Sequence, residues 1–163
     1  MARDNRWNWL RGIGIVMAIL ALCSCYPKRV GPVGISGERL TWPEMSIDQK
    51  KKHMREVVLP RAVQVFRAWR PDRYRQIDCR LCHGPDPVAA NFRMPSPHLP
   101  RLSGEVLLGP EFAKYPDTAR LKLDSLVPAI SEALGLKKFS IITRRGFGCY
   151  SCHLGPGGPM FGH

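Results

Sequence analysis

Residues 79–83 read Cys-Arg-Leu-Cys-His, and residues 149–153 read Cys-Tyr-Ser-Cys-His. The two pentapeptides begin 70 positions apart and contain four of the six cysteines of the 163-residue chain. In each of them two residues separate the thiols and a histidine follows at once, so that one helical turn can present both sulfurs and the imidazole together. This repeated pattern decides how the rest of the chain is interpreted.

The pattern Cys-x-x-Cys-His matches the attachment motif of haem c. Two thiols add across the two vinyl groups of haem, and the adjacent histidine lies beneath the iron as its proximal ligand. We therefore predict two covalently attached haem c groups, held by Cys79, Cys82 and His83 and by Cys149, Cys152 and His153.

Two other kinds of site also contain Cys-x-x-Cys motifs, zinc sites and dithiol oxidoreductase sites. Zinc pairs usually lie about 15–20 residues apart, whereas 66 residues separate these two pairs. A zinc site also gives no reason for a histidine after each pair. A dithiol oxidoreductase needs a single pair within a thioredoxin-like βαβ pattern, and the sequence around these motifs has no such pattern. Haem attachment is therefore favoured over both.

A second similarity precedes each motif. Residues 56–60 (EVVLP) and 124–128 (DSLVP) share an acid, apolar residues and a proline, and they lie 68 positions apart. Their order and spacing indicate an internal duplication, with copies at about 46–100 and 117–163. Coincidence between two ordinary helices is the alternative.

The first copy is predicted to open with a helix over residues 47–69. Ser46 followed by Gln49 suits a capping box at its start. Pro60 should break or kink this helix, because proline lacks an amide donor and clashes with the preceding turn.

The second copy is predicted to open with a helix that Asp117 caps and that ends at Gly135, with apolar residues at a 3.6-residue period. Strand-like alternation is scarce. The expected fold class is therefore mainly α with extensive loops, in which two tandem helix–CxxCH haem-binding modules form one compact domain over residues 46–163.

The first 24 residues are typical of a secretory signal peptide of the lipoprotein type. Residues 1–12 carry three arginines. Residues 13–22 are apolar but too few to span a bilayer, which takes about twenty. Residues 22–25 (LCSC) resemble a bacterial lipobox, with Cys25 as the lipidated residue because the small Ser24 precedes it. A plain cleaved signal and an uncleaved anchor helix are the alternatives. We expect export to the bacterial periplasm or cell envelope and a lipid anchor in a membrane.

Residues 25–45 are rich in glycine and proline and show no helical or strand period, so we expect them to form a tether. The net charge of +12 favours an acidic partner protein or anionic lipid. Nucleic acid is not expected as a partner, because an exported protein rarely meets it.

With its two CxxCH motifs and the helices before them, the chain resembles the bacterial multihaem c-type cytochromes, loosely the helix–CxxCH modules of reaction-centre cytochrome subunits. The exact likeness covers residues 79–83 and 149–153, and the module layout extends from about 46 to 163. The resemblance implies electron transfer between redox partner proteins, for instance within a respiratory or photosynthetic membrane complex, and no catalysed substrate chemistry. A small peroxidase-like haem enzyme or sensor, with one open iron coordination site, is the alternative.

The distal ligands of the two irons are left open by the sequence. Each copy places a methionine and then a histidine after its motif, in loops rich in proline or glycine that can fold over a haem face. Met94 is the first candidate for the first iron, with His98 and His53 as rivals. Met160 is the first candidate for the second iron, with His163 as its rival.

Overall fold

The computed structural model describes four stretches of the chain, which are residues 26–103, 110–140, 142–143 and 145–156. The predicted signal peptide, the lipidation candidate Cys25 and the distal-ligand candidates Met160 and His163 lie outside these stretches. Within them, every helix is too short or too polar to cross a membrane.

The described elements are mostly short helices joined by long loops. Strands β1 (Arg29–Val33) and β2 (Arg39–Thr41) pair antiparallel. The next elements are α1 (Ile47–His53), a π-helical turn at Met54–Val58, α2 (Leu59–Trp69) and α3 (Arg80–His83). The second half has α4 (Pro110–Lys114), α5 (Pro116–Leu121), a π-helical turn at Lys122–Leu126, α6 (Val127–Ala133) and a 3-10 turn at Cys149–Ser151. This agrees with the predicted mainly α class and adds a small two-stranded sheet.

The start of α1 is the capping box that the sequence predicts. The Ser46 side chain accepts a hydrogen bond from the Gln49 backbone amide at 3.3 Å, and the Gln49 side chain accepts one from the Ser46 amide at 2.8 Å. Two amides that the first helical turn would leave without partners are thereby satisfied.

Each half contains a proline inside a helical segment, and in both halves a π-helical turn precedes it. Pro60 and Pro128 each take the second position of the helix that follows a π-helical turn. Immediately before each proline, an amide bonds to the carbonyl five residues back, Leu59 to Met54 and Val127 to Lys122. The wider turn accommodates a residue that has no amide donor and whose ring crowds the carbonyl four residues earlier. The predicted kink is therefore a π-helical turn, and the 68-residue similarity extends from sequence to backbone conformation.

The beginning of the second helical segment differs from the prediction. Asp117 is not its cap but lies within the first turn of α5, where Pro116 takes one of the first positions and Tyr115 precedes the helix. Proline suits the first helical position because its missing amide has no partner there in any case. The predicted end is close to the observed one, since α6 ends at Ala133 and Gly135 follows with φ +64°.

The core forms where the helices of the two halves meet. Val58 of the first π-helical turn and Ala133 and Leu134 at the end of α6 are buried together. Half-buried side chains surround them, from Trp42, Met54, Ile130, Leu136 and Phe147. Apolar residues of the first π-helical turn and of the end of α6 thus cover one another.

The segment expected to be a free tether is largely folded. It contains the β1–β2 hairpin, the Met45 side chain is 3% exposed, and the Lys28 amide donates to the Gly135 carbonyl at 2.7 Å. Trp42 packs on the core cluster, and its ring lies 6.0 Å from that of His53. Two large apolar side chains supply enough buried surface to dock the segment despite its glycine and proline content.

Candidate functional site

The two Cys-x-x-Cys-His motifs adopt nearly the same turn. The His83 amide donates to the Cys79 carbonyl at 3.0 Å, and the His153 amide donates to the Cys149 carbonyl at 2.9 Å. Each turn therefore brings its two thiols and its histidine to one side. Both imidazoles are buried, with exposed fractions of 8% for His83 and 6% for His153.

The loop after the first motif runs alongside the second motif. The Ser96 amide donates to the Cys152 carbonyl at 2.9 Å, and the Leu102 amide donates to the Leu154 carbonyl at 2.9 Å. Ser96 has no exposed surface. Residues separated by more than fifty positions in the chain thus form one site that contains both motifs.

The His153 ring has a partner at each nitrogen. Its Nδ1 lies 2.8 Å from the Pro100 carbonyl oxygen, and its Nε2 lies 3.3 Å from the Lys122 Nζ. Burial lowers the pKa of His153, the Pro100 carbonyl opposes that shift, and the Lys122 charge adds to it. The ring is therefore neutral, with Nδ1–H donating to Pro100 and the Nε2 lone pair facing Lys122.

The His83 ring lies in a different environment. Its Nδ1 is buried and has no hydrogen-bond partner among the described residues, and its ring meets that of Phe92 edge to face at 5.4 Å between centroids. Burial lowers the pKa of His83, and the nearby Phe92 backbone opposes this without reaching hydrogen-bond geometry. Like His153, it is a neutral imidazole, which is the form that binds a metal.

The thiols of the two motifs are near one another and resist ionisation. Burial is the main cause that raises the pKa of Cys82, Cys149 and Cys152. It raises the pKa of Cys152 to about 12, and the negative charges of Cys82 and Cys149 add to this shift. All four motif cysteines are free thiols. A catalytic dithiol has a lowered thiol pKa, whereas burial shifts the pKa of these three thiols in the opposite direction.

The distal candidates in the described residues differ in where they lie. His53 is buried in the helical core with its Nε2 2.8 Å from the Ala133 carbonyl oxygen. His98 is exposed, and its ring packs against Gly84, where a β-carbon would overlap it. Met94 is half-buried, two residues after the Phe92 ring that contacts His83.

Two residues at this site were not singled out by the sequence. Pro100 contributes a backbone carbonyl, which no side-chain pattern reveals. Lys122 could have been noticed in the sequence, because it lies between two leucines of a predicted helix. It also has no acidic residue three or four positions away with which to pair.

Among the described residues no three His, Cys, Asp or Glu side chains form a group that could hold a metal ion. Haem iron needs one axial imidazole whose other nitrogen is commonly tied to a carbonyl, carboxylate or water. In His153 the Pro100 carbonyl holds Nδ1, and the Nε2 on the other side of the ring contacts the Lys122 amine.

Comparison of the chain with protein-family models, with curated proteins and with solved structures finds no match.

Proposed function

We propose that this protein binds two haem c groups covalently, one at each Cys-x-x-Cys-His motif, and transfers electrons between partner proteins. The observation that carries the proposal is the His153 ring, a neutral buried imidazole whose Nδ1 is held by the Pro100 carbonyl while Nε2, on the other side of the ring, lies 3.3 Å from the Lys122 amine. That hydrogen bond fixes the tautomer and orientation of a proximal ligand and increases its basicity.

The chain contributes attachment, orientation and burial. Cys79 and Cys82 would hold the first group, and Cys149 and Cys152 the second, while the two buried histidines would serve as proximal ligands. When bound, haem supplies a reversible one-electron couple whose potential depends on its axial ligands and surroundings. Because the loop after the first motif is hydrogen-bonded to the second motif, from the Ser96 amide to the Cys152 carbonyl, the two groups would lie close together, which favours rapid electron exchange between them.

Electron transfer and peroxidase-like chemistry differ in the state of the sixth coordination position. A carrier keeps both ferric irons six-coordinate and low-spin, whereas an enzyme leaves one open. The test is the ferric spectrum with and without cyanide and peroxide. Two low-spin irons that do not react support the carrier, and one high-spin iron that reacts with peroxide contradicts it.

We propose Met94 as the distal ligand of the first iron. It is half-buried and follows Phe92, whose ring contacts His83, whereas the Nε2 of His53 is engaged by Ala133. A thioether ligand raises the reduction potential relative to a second imidazole. Replacing Met94 by alanine is expected to remove the first haem's contribution to the ferric methionine-to-iron charge-transfer band and to lower the potential of that haem.

The rival ligand provides the matched control for Met94. His98→Ala removes an exposed ring that packs on Gly84, and we expect it to leave both the band and the potential unchanged. If Met94→Ala leaves the band and both potentials unchanged while His98→Ala shifts the potential of one haem, the assignment of the first distal ligand is wrong.

We also propose that the protein is exported and held at a membrane by a lipid on Cys25. The folded segment begins at about Lys28, whose amide is bonded to Gly135, so that only two residues separate it from Cys25. A lipid at that position would keep the domain close to the bilayer surface. The basic charge of the chain suits an acidic partner protein there.

Replacing Cys25 by serine is expected to move the protein from the membrane fraction to the soluble fraction of the cell envelope, because the acyl chains would be lost. Fractionation and immunoblotting measure this distribution. Cys23→Ser is the control and should remain in the membrane fraction. A Cys25→Ser protein that stays fully membrane-bound after a high-salt wash would contradict lipid anchoring.

A further inference from the structure

We infer that the tip of the β1–β2 hairpin inserts into the surface of an anionic lipid bilayer and fixes the orientation of the domain there. The tip is residues 33–37, and its large apolar side chains are those of Val33 and Ile35. This rests on the proposed export and lipid anchor at Cys25, since it assigns a second membrane contact to the residues that follow that cysteine.

Exposed apolar side chains are concentrated near the start of the folded segment. Ile35 is fully exposed and Val33 is 63% exposed, and a single glycine separates them. Tyr26, which directly follows Cys25, is 42% exposed. Isolated apolar residues on a surface need no explanation, whereas neighbouring ones mark a contact surface. A bilayer is the apolar surface that a lipid on Cys25 would bring next to them.

The turn presents Ile35 at the outermost part of the hairpin. The Gly34 amide donates to the Glu38 carbonyl at 2.8 Å, and the Gly37 amide donates to the Gly34 carbonyl at 3.0 Å. Ile35 therefore occupies a central position of a tight turn, with its side chain directed into the surroundings. Such positions usually carry glycine, proline or a small polar residue, so an isoleucine here favours a contact outside the chain.

The charges around the tip suit anionic lipid headgroups. Arg39 is the cross-strand partner of Val33, so the two side chains emerge on the same face of the hairpin. Both carboxylates of residues 26–45 are engaged by Arg29, whose guanidinium nitrogens lie 3.0 Å from a Glu38 oxygen and 3.8 Å from a Glu44 oxygen. Among the residues that the structure describes, Arg39 takes part in no salt bridge. Its charge is thus available to lipid phosphates beside the inserting side chains.

The hairpin segment is fixed to the rest of the domain. The Lys28 amide donates to the Gly135 carbonyl at 2.7 Å. Met45 is 3% exposed and packs so closely on Gly31 of β1 that a β-carbon there would overlap it. Insertion of the tip would therefore set the orientation of the helical core relative to the bilayer, and with it the face that a partner protein can reach.

The short chain between Cys25 and the tip makes the two membrane contacts act together. The nine residue steps from Tyr26 to Ile35 span at most about 30 Å. A lipid on Cys25 would hold the tip this close to the bilayer, which strengthens a contact that is weak by itself. Without the lipid only a weak, salt-sensitive contact remains, in agreement with the release into the soluble fraction that we expect for Cys25→Ser.

The test measures how the haem-loaded Cys25→Ser protein, the parent, partitions onto sedimented vesicles of phosphatidylglycerol and phosphatidylcholine at low ionic strength. Ile35→Ser in this background should lower the partition coefficient about tenfold, because an apolar side chain no longer leaves water. Ile35→Leu should keep the parent value. Val88→Ser is the matched control, since it replaces an exposed valine in the loop after the first motif, and it should also keep the parent value. Urea unfolding and haem content of each variant show whether folding is unchanged.

Two outcomes overturn the inference. One is an equal partition coefficient for Ile35→Ser and the parent, which would assign the exposed tip to a partner protein instead. The other is an equal loss in Ile35→Ser and Val88→Ser, which would show that the tip is not the contact. The assay contains no lipid on Cys25, so it does not depend on the proposed anchor. The intact mass of wild type tests that anchor separately.

Discussion

Replacing both Cys149 and Cys152 by alanine is expected to leave one covalent haem per chain instead of two. The second motif would lose both sulfurs that form thioether bonds, while the first motif, with its own turn and its own buried histidine, would keep its group. Intact mass after maturation in a host that attaches haem c measures the result. Compared with wild type, the intact mass should be lower by the mass of one haem, in addition to the difference between two cysteine and two alanine side chains.

The reciprocal variant and a neighbouring residue serve as controls for this experiment. Cys79→Ala combined with Cys82→Ala should also leave one haem, whereas Leu81→Ala, at an exposed position between the two cysteines, should leave two. Two covalent haems in either double-alanine variant would show that the motifs are not the attachment sites.

Gly135→Ala is expected to destabilise the folded protein by about 2–3 kcal/mol. Gly135 has φ +64°, and an added β-carbon would overlap the Lys28 carbonyl, which belongs to the segment docked on the end of α6. The alanine would therefore have to adopt a left-handed conformation and would also push the hairpin segment away. Urea unfolding of the haem-loaded protein measures the loss.

A second glycine separates these two effects. Gly37 in the hairpin turn also has a positive φ, +79°, but an added β-carbon there meets nothing within 4 Å. Gly37→Ala should therefore cost only about 1 kcal/mol, the conformational part alone. Equal losses for the two variants would mean that residues 28–45 are not docked on the helical core in solution.

Local chemistry made part of this fold predictable. The capping box at Ser46 and the disturbance around Pro60 depend on residues a few positions apart, and both are observed. The form of the disturbance, a π-helical turn repeated at Pro128, could not be derived, because a proline in a helix can also produce a break or a simple kink.

The β1–β2 hairpin was not predicted from the sequence, because contacts with distant residues stabilise it. Three-residue β2 has too little sequence to show a period, and the docking of its segment depends on Trp42, Met45 and the bond from Lys28 to Gly135, more than a hundred positions away. A glycine- and proline-rich stretch with two large apolar residues can be either a linker or a docked segment.

The candidate site was predictable in its cysteines and histidines but not in its assembly. Regular spacing identified the two motifs, and helical geometry predicted the turn that each adopts. The contacts that join them come from distant loops, Pro100 to His153 and Ser96 to Cys152. Such contacts leave no periodic signal in a sequence, and the same is true of the approach of Lys122 to His153.

The contacts between the two halves of the chain also bear on how the protein would mature. Since Pro100 in the loop after the first motif orients the histidine of the second, the second site is complete only when that loop has folded. Coupling of this kind would link the properties of the two sites, because the carbonyl that holds His153 belongs to the half that carries His83.

The central claim is covalent attachment of two haem c groups, and the most direct measurement is the haem and metal content of the protein matured with the haem c attachment machinery. Pyridine haemochrome absorbance and intact mass of wild type should give two covalent haems per chain. A chain mass without added haem, together with stoichiometric zinc in the metal analysis, would contradict the account.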